Sequence, residues 1–343
     1  MTQYLIGNKP WTVMRGTHGT TVHSWPLQQI GAKKIVAPSL NGCGTRAAHG
    51  CCGLAQDDAD RKPAGALPLA LSSVGGVEAT YVGRTDVLAA IDDLDIAGRP
   101  ICLHTSLSAH GTAVDGAATI VDALLERGVT VVVPTFSGAA FEVPAPPAPA
   151  EDGATQRAVT IFSPGSREID ASMGALPREV LARPGRRRGN HPVNSFTAIG
   201  PLAEDLVREQ TATDVYAPLR AIGERDGAVV LAGVGLNRMT LIHLAEAEAG
   251  RPLFRCWARM PGGEIVPTVA GGCSEGFFAF EPVLAPIERS TGVGSARWRV
   301  FPVAGVLELA AAAIRADPEI TRCADPSCKR CPVACAGIGL LPG

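Results

Sequence analysis

Regular spacing of apolar positions begins at Arg84 in this chain, and before it neither a helical nor a strand period persists. Gly, Pro, His and Cys are scattered through "GTHGTTVHSW" and "NGCGTRAAHGCCG", which predicts an irregular extension over residues 1–83. After it, "TDVLAAIDDLDI" carries apolar residues at helical spacing behind a Thr-Asp start, and "PICLHTSL" is a short apolar run with a polar end, a buried strand. "GAATIVDALLERG" reads as a helix closed by Gly128, and "VTVVVPTFSG" as a strand stopped by Pro134. Strand, helix, strand in that order gives parallel strands with a right-handed crossover, so an α/β layered sheet is expected.

Downstream, the Pro-rich "FEVPAPPAPAEDGATQ" can neither pair in a sheet nor continue a helix and reads as a surface loop. "MGALPREVLARPGRRRGNHP" predicts a short helix leading to a basic turn, and "FTAIGPLAEDLVREQ" a helix entered through Gly-Pro. "GAVVLAGVG" is a strand, "NRMTLIHLAEAEAG" a helix ended by Gly250, and "RWRVFPV" precedes the Ala-rich helix "GVLELAAAAIRA". With 343 residues, one large domain at 84–318 is expected, flanked by the extension and a Cys-rich tail at 319–343.

Composition narrows the function classes. A net charge of -2 offers no field for a polyanion, so a nucleic-acid partner is not expected. No apolar run approaches the ~18 residues that span a bilayer, and "MTQYLIGNKPWTVMRG" lacks the charge and apolar pattern of a leader, so no membrane association and a cytoplasmic location are expected. Ten cysteines, four of them crowded at the end, do not form an even disulfide framework and read as thiols or metal ligands. Cys323, Cys328, Cys331 and Cys335 have gaps suited to a tetrahedral structural zinc, and the C-x4-C-x2-C part also echoes an iron-sulfur run. Cys43, His49, Cys51 and Cys52 offer a weaker set of candidate ligands, since adjacent cysteines on a flexible loop rarely close a tetrahedral site.

Three clusters carry candidate chemistry. His243 and Glu246 stand three apart on a helix that follows the glycine turn of Gly233 and Gly235, so both can face one cleft as a base and its orienting carboxylate; metal ligation or a solvated helix face fits the same spacing. In "HTSLSAHG" the hydroxyls of Thr105, Ser106 and Ser108, with Leu107 among them and Gly111 after, lie where a strand gives way to a helix, a place for a phosphate or an ordinary cap. The third, Arg186 to Arg188 before His191-Pro192, is either a solvated turn or a source of cations for a phosphate.

"LHTSLSAHG", "VVVPTFSG", "MGALPREVLARPGRRRGNHPVNSFTAIGPLAEDL", "APLRAIGERDGAVVLAGVG" and "NRMTLIHLAE" together resemble, in order and approximate spacing, the aminoglycoside 3-N-acetyltransferase family. The resemblance covers roughly 84–318. It implies a three-layer α/β/α sandwich with a mixed, largely parallel sheet, and acetyl coenzyme A as cosubstrate. It makes His243 the general base with Glu246 in the same motif, and assigns the "HTSLS" hydroxyls and Gly111 to the coenzyme pyrophosphate. In the family's R-S-x-H-P block this chain has Arg188, Gly189, Asn190, His191 and Pro192, so one hydroxyl is missing. Thr105 stands where Ser is usual and keeps its hydroxyl. Thr135, at a strand's carboxyl end, either lines the crevice or caps the strand, and Glu275 is a further candidate for a substrate or orienting carboxylate.

The expected activity is acetyl transfer to an amine of an aminoglycoside or related amino sugar. Acetylation of another small amine in biosynthesis, and a non-catalytic metal-binding module docking a partner through the tail, are the alternatives.

Overall fold

The computed structural model describes residues 2–6, 9–13, 81–146, 161–260 and 262–336. Cys43, His49, Cys51 and Cys52, and most of the Pro-rich loop, lie outside the described residues. The chain divides into two compact units, Met1–Glu78 and Ala79–Gly343. In the first, β1 (Thr2–Ile6) and β2 (Lys9–Val13) form an antiparallel hairpin with Thr2 opposite Val13. Among the described residues this unit carries a hairpin whose arms are too short to display a period.

The strands of the second unit are β3 (Tyr81–Val82), β4 (Pro100–Thr105), β5 (Thr112–Ala113), β6 (Thr130–Pro134), β7 (Arg187–Arg188), β8 (Phe196–Ile199), β9 (Ala228–Ala232), β10 (Phe254–Arg259), β11 (Ile265–Ala270), β12 (Arg289–Val293) and β13 (Ala296–Pro302). Its helices are α1 (Arg84–Asp93), α2 (Ala117–Glu126), α3 (Gly138–Phe141), α4 (Ala175–Ala182), α5 (Ala203–Val207), α6 (Ala217–Gly223), α7 (Leu241–Glu248), α8 (Glu281–Leu284), α9 (Val303–Ala316) and α10 (Arg330–Cys335).

A seven-stranded mixed sheet in the order β12-β13-β9-β4-β6-β8-β7 forms the middle layer. Its parallel part is the centre, where β4 pairs with β6 on one side and β9 on the other. The flanking pairs are antiparallel, β8 with β6 and β13 with β9. Alternation along the strands assigns the two faces. Ile101 and Leu103 of β4, Val131 and Val133 of β6, Val230 of β9, and Trp298 and Val300 of β13 share an apolar cluster with Val87, Ile91, Ile120, Leu124, Leu176 and Val180 of α1, α2 and α4. On the other face, α6 packs on β4, α9 on β13, and α7 on α9. Each fully buried aliphatic of this kind contributes about 1.5–3 kcal/mol.

The stretch "FTAIGPLAEDLVREQ", read as one helix, divides into strand β8 and the short helix α5. All four residues of β8 are buried, so it shows no polar alternation to separate it from a buried helix. Gly200, at φ 121°, ends it where a Cβ would stand 2.8 Å from Thr130 Cα. The hairpin of β10 and β11 went unread for a similar reason, its residues being mostly half-buried without strict alternation.

The described part of the Cys-rich tail lies within the second unit and packs on its loops. A Cβ at Gly276 would overlap the Thr321 carbonyl, and Arg251 bonds Pro318 O and Thr321 Oγ1. Among the described residues, no helix is long and apolar enough to cross a membrane.

Candidate active site at the carboxyl end of the parallel strands

The chain leaves β4 toward β6 on one side and reaches β9 on the other, so the strand order reverses at β4. In open α/β sheets such a reversal opens a crevice beyond the carboxyl ends of the two strands. Thr105 and Ala232 end β4 and β9 as register partners, and the "HTSLSAHG" and "GVG" turns follow them. The turns press together: Gly233, at φ 72°, lies where a Cβ would come within 2.5 Å of Ala109 Cβ.

α7 follows the second turn and carries His243 and Glu246 on one face. Both are buried, and His243 Nδ1 lies 2.7 Å from Glu246 Oε2. A carboxylate only accepts, so Nδ1 holds the proton and donates it, leaving the Nε2 lone pair free. Nε2 has no hydrogen bond to any described residue, and the side chain keeps 11% of its surface exposed. The ring is walled by Tyr216, stacked at 6.5 Å, and by Phe277, edge-on at 4.8 Å. Beneath it runs Gly271, where a Cβ would stand 2.5 Å from His243 Cγ. Burial, aided by the Glu246 charge, pushes the Tyr216 phenol up, so it stays protonated. Arg251 Nη1 donates to the second oxygen of Glu246 at 2.8 Å and also bonds Thr321 Oγ1. Spacing allowed His243 and Glu246 to share one helix face, and the structure pairs them. Arg251, Tyr216, Gly271 and Phe277 went unread, because a cation past a helix end and isolated aromatics carry no positional signal.

On the first turn, Thr105 Oγ1 is buried without a hydrogen-bond partner among the described residues, an orphaned polar atom at the crevice. Ser106 Oγ and Ser108 Oγ are 3.1 Å apart, and Ser108 and Gly111 are exposed. His110 pins the turn from below: Nδ1 lies 3.0 Å from Ser106 O, and Trp298 Nε1 donates to its Nε2 at 2.8 Å. Cys102 Sγ lies 3.5 Å from His104 Nε2 inside β4. Burial raises that thiol and, with Arg238 second, lowers His104 to about 3, so both stay neutral.

Thr135, Arg188 and His191 form an internal brace, with their polar atoms committed to protein partners. Thr135 Oγ1 donates to Ser195 O and lies 2.9 Å from Thr197 Oγ1. Arg188, only 5% exposed, donates from Nε to Ser195 Oγ, from Nη1 to Ser166 O, and from Nη2 to Thr135 O, Ser137 Oγ and Glu168 O. Burial, then Arg186, lowers it to about 10. His191 Nδ1 accepts from the Asn194 amide at 2.8 Å, and Nε2 lies 2.7 Å from Thr268 Oγ1. Every nitrogen of the Arg188 side chain and both ring nitrogens of His191 thus have a protein partner in this arrangement. Gly189 stands where the resemblance expects Ser because the Gln210 side chain fills the space a Cβ would take.

Burial lowers His191 from 6.5 to about 4 and His104 from 6.5 to about 3. The unfolded chain binds these protons first as pH falls, so stability is whole above about pH 6.5 and declines through the window down to the folded values. The loss at pH 5 is up to about 2 kcal/mol for each histidine. Thermal melts at pH 7, 6 and 5 are expected to fall, and His191→Gln, if it folds, to flatten the slope; a flat wild-type profile over that range contradicts the burial of both rings.

Glu275 is exposed and accepts from Asn237 Nδ2 at 3.2 Å. The four tail cysteines do not all converge. The sulfurs of Cys273, Cys323, Cys328 and Cys331 lie within 4.8 Å of one another. Cys335, a turn beyond Cys331 on α10, points at Thr321 Oγ1 at 3.9 Å and is replaced in the cluster by Cys273. A lone cysteine fifty residues upstream has no spacing to advertise it.

A model of the family described as aminoglycoside 3-N-acetyltransferase matches residues 102–315, well over half the chain. The chain belongs to the aminoglycoside 3-N-acetyltransferase family. Among its curated members, aminoglycoside N(3)-acetyltransferase VIII of Streptomyces fradiae is 32% identical over 163 residues, which are 46% of this chain. That match spans 57% of the relative's own length. The crystal structure of aminoglycoside acetyltransferase AAC(3)-Xa superposes with a TM-score of 0.59 at 28% identity, over 68% of this chain and 93% of the other. AAC-IIIb in binary complex with CoASH shares the fold, with a TM-score of 0.61 at 24% identity over 69% of this chain and 97% of its own. The family model's match includes the crevice turns, α7 and nearly all of α9, and ends at residue 315.

Proposed function

We propose that this family member is an acetyl-coenzyme-A-dependent N-acetyltransferase acting on an amine of an aminoglycoside or related amino sugar, by direct transfer with His243 as general base. The observation that carries the reading is the imidazole fixed by Glu246 through Nδ1, with Nε2 unengaged by any described residue, on the helix that follows the β9 turn. The named activity of the curated relatives and the CoASH held by AAC-IIIb point to the same cosubstrate and acceptor class.

The amine nitrogen adds to the thioester carbonyl as His243 Nε2 takes a proton from it. The tetrahedral adduct then collapses, the C–S bond breaks, and coenzyme A leaves as a thiolate that is protonated by the imidazolium or by water. The Glu246 carboxylate stabilises the imidazolium between these events, and Arg251 keeps that carboxylate turned toward the ring. Alignment of two bound substrates lowers the barrier by up to about 7–11 kcal/mol. An acetyl-cysteine route through Cys102 lacks its thiolate, since that thiol is buried, protonated and beside His104. Thr105 Oγ1, Ser106, Ser108 and the turn at Gly111 are the chain's own groups for the coenzyme, and the unpartnered Thr105 hydroxyl fits an acceptor or donor arriving there. Glu275, exposed near Asn237, is a carboxylate for the cationic acceptor.

Thiol release from acetyl coenzyme A, followed with a panel of aminoglycosides, amino sugars and simple amines, tests the proposal. Aminoglycosides or amino sugars are expected to raise the rate above that of coenzyme alone, with one acetyl added to the product by mass. Acceleration confined to unrelated small amines replaces the acceptor class, and no acceleration with any amine removes the enzyme reading.

A further inference from the structure

The sulfur cluster takes one member from the loop that begins at Gly271 against His243, and it is independent of the acetyl-transfer reading. Cys273 comes from the loop between β11 and α8, two residues after Gly271, which abuts the His243 ring. Cys323, Cys328 and Cys331 come from the segment that crosses Gly276 of the same loop. Two parts of the chain about fifty residues apart thus meet at four sulfurs.

We propose that Cys273, Cys323, Cys328 and Cys331 bind one zinc ion as four thiolates, and that the ion fastens the tail to the loop walling the active-site histidine. All four sulfurs lie within 4.8 Å of one another, and those of Cys323 and Cys331 are 3.5 Å apart. Tetrahedral Zn–S bonds of ~2.3 Å set sulfur pairs at roughly 3.8 Å, in the range observed. A disulfide needs about 2.05 Å, and the cysteines are free. The interior of so tight a group suits a single ion rather than a four-iron cluster.

The surroundings suit a bound tetrathiolate. The Cys323 amide points at Cys331 Sγ at 3.4 Å, a donor toward sulfur. On binding, four thiols release their protons to solvent and the ZnS4 centre carries two negative charges. Arg322, Lys329 and Arg330 flank the ligands in sequence, with Arg322 paired to Glu319 and Arg330 over the Phe254 ring. With an aliphatic core only on the domain side, an 18-residue segment from 319 to 336 has little apolar surface of its own, and its buried side chains are few: Thr321, Cys331 and Cys335. A metal crosslink supplies the anchorage that packing does not.

The full chain, purified under reducing conditions without added metal, is analysed by mass spectrometry of metals and by release of zinc to a chromogenic chelator as thiols are titrated with a mercurial. About one zinc per chain, freed as four thiols react, is expected. Cys273→Ser and Cys328→Ser should lose at least about tenfold in zinc affinity, while Cys335→Ser keeps the wild-type stoichiometry. Because a ligand variant can fail to fold, cobalt is exchanged into the wild-type chain, where tetrahedral thiolate–cobalt absorption is expected. Hydrogen exchange of residues 270–276 should rise when zinc is stripped by a strong chelator. Wild-type chain with well under one metal per chain, iron in place of zinc, or Cys335→Ser losing zinc as fully as Cys273→Ser overturns the proposal. None of these readouts requires acetyl transfer, so their failure is distinguishable from failure of the enzymatic reading.

Discussion

Replacing His243 with alanine lowers turnover by ~100-fold or more at saturating substrates while coenzyme affinity stays near the wild-type value. The expectation follows from what the ring touches. Its only described side-chain hydrogen bond is to Glu246, through Nδ1, and no described coenzyme-side hydroxyl bonds to it. Removing the ring therefore deletes the proton acceptor without removing a group assigned to the coenzyme. Steady-state thiol release gives turnover, and calorimetric titration with coenzyme A gives affinity. Glu246→Gln should cost less, because an amide oxygen still accepts from Nδ1 but no longer carries the charge that stabilises the imidazolium. Unchanged turnover in His243→Ala strikes that residue from the mechanism.

Arg251→Met is expected to destabilise the fold by about 3–5 kcal/mol, the usual consequence of leaving a buried carboxylate without its cation. The two side chains are only 7% and 9% exposed, so solvent screens the pair little. Thr321 Oγ1 and Pro318 O lose a donor at the same time. The denaturant midpoint is the measurement, with the slope unchanged. Combining Arg251→Met with Glu246→Gln should recover part of the loss, since the second change removes the stranded charge. A loss below about 1 kcal/mol for Arg251→Met, in the double-mutant frame, means the pair is not buried as described.

His243 illustrates how far local spacing reaches. Glu246 lies three residues on, so one helical turn brings them together whatever surrounds the helix. The same holds for the apolar runs of β4, β6 and β9, whose both-faces burial makes them continuous in apolar character, and for the helices at 84–93 and 117–126. Arg188 and His191 illustrate the opposite. Their residue types suit a phosphate, but whether a guanidinium or imidazole is free depends on which carbonyls and hydroxyls the fold brings to it. Here Ser166, Ser195, Thr135 and Thr268 had already taken them.

The order of apolar blocks and the His243–Glu246 pair were determined by the sequence alone, because each depends on periods of two or about four residues within a single element. Tertiary structure decided the antiparallel flanks of the sheet, the commitment of Arg188 and His191 to internal bonds, and the choice of Cys273 over Cys335. Those outcomes turn on contacts between segments tens of residues apart, and no local spacing encodes which distant partner arrives.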